Sequence, residues 1–301
     1  MTVKKFFIKE GRLRPTWRVV CYTAALVLGS IAIQIPIVIF LVMVISLGIM
    51  DESTLIGLDS SLPLMVISAL ANLVLIFPLT YLFRRFLDGD TLVNLGFHKR
   101  PGWVKQILRG LLLGALLIGL VFVVEWRAGW IEVQGFAWQA RSPILILGNL
   151  LASFTMMTLV AVYEELSFRG YILQNLNADW SAIVAVVASS VLFSLFHGLN
   201  PNVTWLALFN IFLAGILLSV CYFITKQLWL PIAFHFSWNF VQGPILAFPV
   251  SGLGLGGLLL TEIGGSPSIT GGAFGPEAGL IGTAALSLGL LILLVARGRT
   301  E

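Results

Sequence analysis

The sequence predicts an all-α integral membrane protein, a bundle of about eight transmembrane helices in one polytopic domain over 1–301. Three observations carry that expectation. Of the 301 residues 58% are hydrophobic and only 11% are charged, against about 25% charged in ordinary soluble domains. The mean hydropathy is +0.98. The apolar residues fall in runs of about 20, the length a helix needs to cross the hydrocarbon core. A soluble fold of this size could not hide so much apolar surface, so soluble enzymes, nucleic-acid binders and disordered tails are excluded. The net charge of +4 is then a signal of topology, because Lys and Arg collect in cytoplasmic loops.

Eight runs qualify: 17–49, 62–83, 104–126, 143–175, 181–198, 203–224, 228–248 and 278–296. The first contains Pro36 and is long enough to kink or tilt. It is also too long for the apolar core of a signal peptide, and no small-residue cleavage site follows it. The third opens on Gly110 and Gly114, a GxxxG pair expected to let helices pack closely, with dimerisation as its weaker use. The fourth runs on through a polar patch at 164–169. Cys21 and Cys221 both lie in apolar stretches and read as small core residues. Eight of the nine tryptophans sit at or near run ends, where an amphipathic ring prefers the interface; Trp238, inside the seventh run, is the exception. The Gly- and Ser-rich stretch 249–277 reads as a flexible external loop. Within it Gly252-Leu-Gly254-Leu-Gly-Gly257 matches a dinucleotide fingerprint in letters only, since no strand precedes it.

Charge sets the expected orientation. With a cytoplasmic N-terminus the inner segments hold Lys4, Lys5, Lys9, Arg12, Arg14 and Arg18, then Arg84, Arg85, Lys99, Arg100, Lys105 and Arg109. They also hold Arg169, Lys226, Arg297 and Arg299. That is sixteen of the 18 basic residues, with Arg127 and Arg141 left outside. Both termini are expected in the cytoplasm, with the chain in the cell membrane.

Against this pattern a few ionisable residues stand out inside the runs. Glu164 and Glu165 are adjacent in the fourth. His197 lies in the fifth and His235 in the seventh, whereas His98 belongs to a basic loop. A charged group at the bilayer centre costs roughly 2.5–3.5 kcal/mol on insertion scales, so such residues mark function by default. Glu165 and Arg169 are four apart and share a helix face, which lets them pair. Glu164 lies about 100° round the helix and is left free by that pair. Phe193 and His197 are also four apart, as are His235 and Asn239. A rise of about 1.5 Å per residue puts Glu164 about 16 Å from the end of its helix and His197 about 24 Å along its own. His235 and Asn239 fall about 12 and 18 Å along theirs. These depths overlap, which makes one polar site in mid-membrane geometrically reasonable.

Those residue types suit water activation and carbonyl attack. A carboxylate in an apolar place becomes a usable general base. Histidine moves protons or binds metal, and asparagine donates to a developing oxyanion. A carboxylate with two histidines could hold zinc and keep a position open for water. The residues leave metal-bound and glutamate-activated water both open. A proton-coupled transporter would use the same groups, but the internal symmetry common in such folds is missing. No HExxH, no aspartate within a run and no GxSG occurs, which disfavours three other intramembrane protease types.

Three motifs stand in order: Glu164-Glu165-Leu-Ser-Phe-Arg169 (EExxxR), Phe193-Ser-Leu-Phe-His197 (FxxxH) and His235-Phe-Ser-Trp-Asn239 (HxxxN). Together with Gly215 and Leu230-Pro231-Ile232, over roughly 145–245, they make the chain resemble the CPBP family. That family comprises CAAX prenyl proteases of the Rce1 type and the Abi proteins of bacteriocin processing or self-immunity. The resemblance implies an intramembrane endopeptidase acting on peptide or membrane-protein substrates, CAAX-type C-terminal processing among them. Glu164 would activate water with His197 beside it. His235 and Asn239 would stabilise the oxyanion or complete a metal site, in which Glu164, His197 and His235 are the zinc ligands. Glu165 with Arg169 would hold the helix and orient Glu164, with Phe193 in support. A non-proteolytic scaffold or self-immunity factor is the alternative use of the same residues.

Overall fold

The apolar runs become helices for a common reason: in lipid, every backbone N–H and C=O must be satisfied within its own segment. A computed structural model describes residues 6–48 and 62–298. Lys4, Lys5 and Arg299, which enter the charge count, lie outside the described residues. A short hairpin of β1 (Ile8–Lys9) and β2 (Arg12–Leu13) leads into α1 (Pro15–Ser46), with Pro15 at the helix start, where its missing N–H is no loss. Pro36 lies inside α1. α2 (Leu62–Leu82) continues as a π-helical turn, Phe83–Asp88, that stops at Gly89. α3 spans Trp103–Arg127 and is followed by β3 (Ile131–Phe136). α4 (Pro143–Glu165) runs through a π-helical stretch, Leu166–Ile172, into α5 (Leu173–Asp179).

α6 (Ala182–Phe196) begins at Ser181, whose hydroxyl accepts from the Val184 N–H. α7 (Trp205–Thr225) begins at Thr204, whose hydroxyl accepts from the Ala207 N–H. Such caps satisfy one of the orphan donors of a helix start. α8 (Trp229–Phe240) extends as a π-helical turn to Ile245. β4 (Leu259–Ile263) and the short α9 (Pro267–Thr270) precede α10 (Leu280–Gly298).

Six helices, not eight, are long and apolar enough to cross a membrane among the described residues. The chain is a multi-pass integral membrane protein. The other two expected spans are shorter. α6 has 15 residues, about 22 Å of helix against a core of about 30 Å. α8 has 12 residues before its π-helical extension. His197 follows the last residue of α6, whereas His235 and Asn239 lie within α8.

Among the described residues three apolar clusters hold the bundle, the smallest gathering Ala69, Met156, Met157 and Val250. Of the two larger ones, one gathers Tyr22, Leu166, Tyr171 and Phe193 between α1, the α4–α5 stretch and α6. The other gathers Leu117, Leu217, Phe234 and Leu286 between α3, α7, α8 and α10. Gly110 and Gly114 serve this second core. A Cβ at Gly110 would lie 2.6 Å from the Leu230 carbonyl oxygen, and one at Gly114 2.7 Å from that of Phe234. The glycine pair is thus spent on the contact of α3 with α8 inside one chain. At the N-terminal side of the bundle, Asp88 pairs with Arg18 and Arg84 at 3.0 and 2.9 Å, and Asp179 pairs with Lys9 and Arg14 at 3.1 and 3.3 Å. These tie the opening hairpin to the ends of α2 and α5. Cys21 is exposed and Cys221 buried, both as free thiols.

The expected flexible loop 249–277 is built structure. β4 pairs antiparallel with β3 from Ile131–Ile263 to Phe136–Leu259, with a bulge between Val133 and Gly135. The glycines, taken at sequence level as a sign of flexibility, serve tight turns and close approaches. Gly275 has φ 101, and a Cβ there would collide with the Pro249 carbonyl.

Candidate active site

Glu165 is the hub of the buried polar cluster. Fully buried near the end of α4, its Oε1 accepts from Arg169 Nη1 at 2.9 Å and from His235 Nδ1 at 2.9 Å. The first contact comes from the i, i+4 spacing. The second joins α4 to α8 across 70 residues of sequence. Arg169 is equally buried, sends Nη2 to the Gly215 carbonyl at 3.2 Å, and lies 4.3 Å over the Phe193 ring. A desolvated guanidinium over an aromatic face is stabilising, which explains the phenylalanine of the second motif. Gly215 is required sterically, since a Cβ there would meet Ser190 at 2.8 Å. The expected Glu165–Arg169 pair forms, and the geometry adds His235 to it as a second partner of the same oxygen.

His235 therefore turns its other nitrogen to the site. With Nδ1–H donated to Glu165, Nε2 stands 3.8 Å from Glu164 Oε2, an oxygen that is buried and has no hydrogen-bond partner. His197 is arranged alike. Its Nδ1 meets the Phe193 carbonyl at 2.8 Å; a carbonyl only accepts, so Nδ1 bears the proton and Nε2 is free. His197 is not inside its helix, as its position in the apolar run suggests. It caps the C-terminus of α6, which ends at Phe196. Asn239 lies one turn beyond His235 on α8 and is buried at the same wall.

A cavity of about 540 Å³ brings these groups together: Glu164, His197, His235 and Asn239 all line it. Its other wall is apolar, with Met65, Ala69 and Ile76 of α2 and Met156 and Met157 of α4. The donor types would suit zinc. Yet among the described residues no three His, Cys, Asp or Glu side chains gather where a metal ion could be held.

The same cavity holds residues that the three motifs do not contain. Glu277, between α9 and α10, lines it together with Ser251 and Asn200. Glu277 Oε2 accepts from the Ser251 N–H at 2.7 Å and from its hydroxyl at 3.0 Å. Burial pushes the Glu277 carboxyl up, against the downward pull of those two hydrogen bonds. The signal that could have found it is an acidic residue inside a run of closely spaced glycines, Gly271 to Gly282, which composition alone presents as a linker.

Residues 146–241 match the family described as Type II CAAX prenyl endopeptidase Rce1-like, and all three motifs fall inside that segment, consistent with the CPBP family. No curated protein and no solved structure matches the chain.

Proposed function

From the Rce1-like segment at 146–241 as premise, we propose that the protein is an intramembrane endopeptidase that hydrolyses peptide bonds of membrane-associated substrates, CAAX-type C-terminal processing being the specific form. The observation that carries this reading is the Glu164 carboxylate. Its Oε2 is buried, without a partner, and 3.8 Å from His235 Nε2, on the wall of a cavity shared with His197 and Asn239.

In this mechanism Glu164 takes the proton of a water as that water attacks the scissile carbonyl carbon. General-base help of this kind contributes typically about 10²–10⁴-fold. The C=O π pair moves onto oxygen, and the oxyanion is met by donors. The Asn239 side-chain amide is one, and His235 Nε2, when protonated, is another. Glu165 keeps His235 in the required tautomer by holding Nδ1–H, as the acid of a hydrolase triad does. Collapse of the tetrahedral intermediate breaks the C–N bond, and the amine leaves with the proton that Glu164 took up. His197 Nε2 is the second group able to carry that proton. The apolar wall of Met65, Ala69, Ile76, Met156 and Met157 suits an apolar stretch of the substrate, since methionine adapts to irregular shapes.

The test is cleavage of a peptide library by purified wild type and Glu164→Ala, each with and without chelator. The variant is expected to insert and melt as wild type does and to lose cleavage by about 10²-fold or more. An unchanged rate in Glu164→Ala would refute the mechanism. Loss of wild-type activity with chelator, restored by zinc, would assign the water to a metal ion.

A further inference from the structure

We propose that Asn72 of α2 is a substrate-binding residue of this site, whose side-chain amide hydrogen-bonds the backbone of an extended peptide about two residues from the bond cut at Glu164. The inference rests on the peptidase reading above and says how that site takes hold of its substrate. Place, level and bonding capacity carry it.

Asn72 and Glu164 line the same cavity. From α2 that cavity takes Leu64, Met65, Ser68, Ala69, Asn72 and Ile76, a stripe with the three- and four-residue spacing of one helix face. Asn72 sits within the stripe, between Ala69 one turn before and Ile76 one turn after. It lies far outside the matched segment 146–241, so none of the three motifs points to it.

The level of Asn72 relative to Glu164 follows from how α2 and α4 pack together. Ala69 belongs to one apolar cluster with Met156 and Met157. Further along both segments, the Tyr22 hydroxyl joins Thr80 Oγ1 at 2.7 Å and Ser167 Oγ at 3.2 Å. The order of these contacts makes the two helices parallel, and both give the same register, with Asn72 level with Leu159. Glu164 is then about 7.5 Å further along the axis, at a rise of about 1.5 Å per residue. An extended peptide advances about 3.3 Å per residue, so Asn72 stands about two residues from the carbonyl that Glu164-activated water attacks.

Asn72 also has hydrogen bonds to give. It is the sole side-chain amide of α2. Its Nδ2 donates to the Ser68 carbonyl at 3.0 Å, within its own helix. A side-chain amide has a second N–H and an oxygen with two lone pairs, and among the described residues neither is engaged. An asparagine that served to join membrane helices would bond across to a neighbour; this one does not. A peptide entering an apolar cavity brings backbone groups that are costly to leave unpaired. The methionines and aliphatic residues of the wall can receive substrate side chains but satisfy no backbone group. One residue of an extended chain presents its N–H and C=O on the same edge, and the free Oδ1 and N–H of Asn72 answer both.

Asn72→Leu keeps the size of the side chain and removes both free groups. With a peptide that the wild type cleaves, the variant is expected to raise KM about 10-fold, with kcat changed less than about twofold. Its melting temperature in detergent is expected not to fall. Esters placed one at a time along the peptide each replace a single backbone N–H by oxygen. For the wild type, one ester about two residues from the cleaved bond is expected to raise KM about 10-fold, and in Asn72→Leu the same ester is expected to add nothing. A wild-type KM in Asn72→Leu would overturn the proposal, as would ester effects that are the same in variant and wild type. A raised KM with a lower melting temperature and unchanged ester effects would also overturn it, leaving Asn72 a packing residue. Should Asn72→Leu not fold, Asn72→Ala takes its place in the same scan. If the wild type cleaves no peptide, the peptidase reading fails separately. The ester scan is then read as the Kd of the tightest-binding library peptide carrying a fluorophore, and absence of any binding overturns this proposal too.

Discussion

One oxygen, Glu165 Oε1, serves both Arg169 and His235 at 2.9 Å each. Neither Glu165 nor Arg169 has any exposed surface. Removing one partner of a buried pair leaves an uncompensated charge and costs about 3–5 kcal/mol. Arg169→Met is therefore expected to lower stability by about that much and to disturb His235 as well; thermal melting in detergent measures the first and the turnover of the surviving folded fraction the second. A melting temperature equal to wild type would show that Glu165 finds another counter-charge. At this scale the i, i+4 pair is legible in the sequence, because spacing along one helix fixes which side chains meet. That His235 completes it is not legible, since the contact joins two helices far apart in the chain. The orphan Oε2 of Glu164 is likewise a matter of packing.

At the level of elements, α3 approaches α8 closely because Gly110 and Gly114 have no side chain to keep it away. α8 carries His235 and Asn239, so this contact also sets the depth of the site. Overpacking a close contact costs typically 1–3 kcal/mol. Gly110→Leu is expected to destabilise by about that amount or more and to lower turnover by shifting α8, with size-exclusion elution unchanged. A changed oligomeric state with an unchanged melting temperature would instead assign the glycine pair to a dimer interface. Element boundaries were harder to read than element type. α6 stops at Phe196 because the chain turns at His197, a turn that an unbroken apolar run conceals. The segment 249–277 misleads in the opposite direction. Glycine-rich composition suggests freedom, whereas here the missing Cβ atoms allow backbone to meet backbone and β4 to pair with β3.

Across the whole molecule, six long apolar helices make a multi-pass membrane protein, and the basic residues give its expected orientation. With sixteen of 18 Lys and Arg assigned to one side, reporter fusions at the N- and C-termini are both expected to read out in the cytoplasm. A terminus found on the opposite face would reverse or break that topology. Four of those basic residues, Arg18, Arg84, Lys9 and Arg14, pair with Asp88 and Asp179 at the ends of α2 and α5.

By itself the sequence determined that the chain lives in a bilayer, which stretches are helical, and which four ionisable or polar residues, Glu164, His197, His235 and Asn239, break the apolar pattern. These follow from local rules: backbone groups in lipid must pair within a helix, and an intramembrane charge is too costly to keep without use. Only the tertiary structure decided that those four line one cavity, that Glu165 holds His235, that two motif helices are short, and that a glycine-rich segment brings Glu277 to the same place. The reason is that such contacts arise between elements distant in the chain. Their partners are chosen by how helix faces and close-packed backbones fit together, which no spacing along one segment encodes.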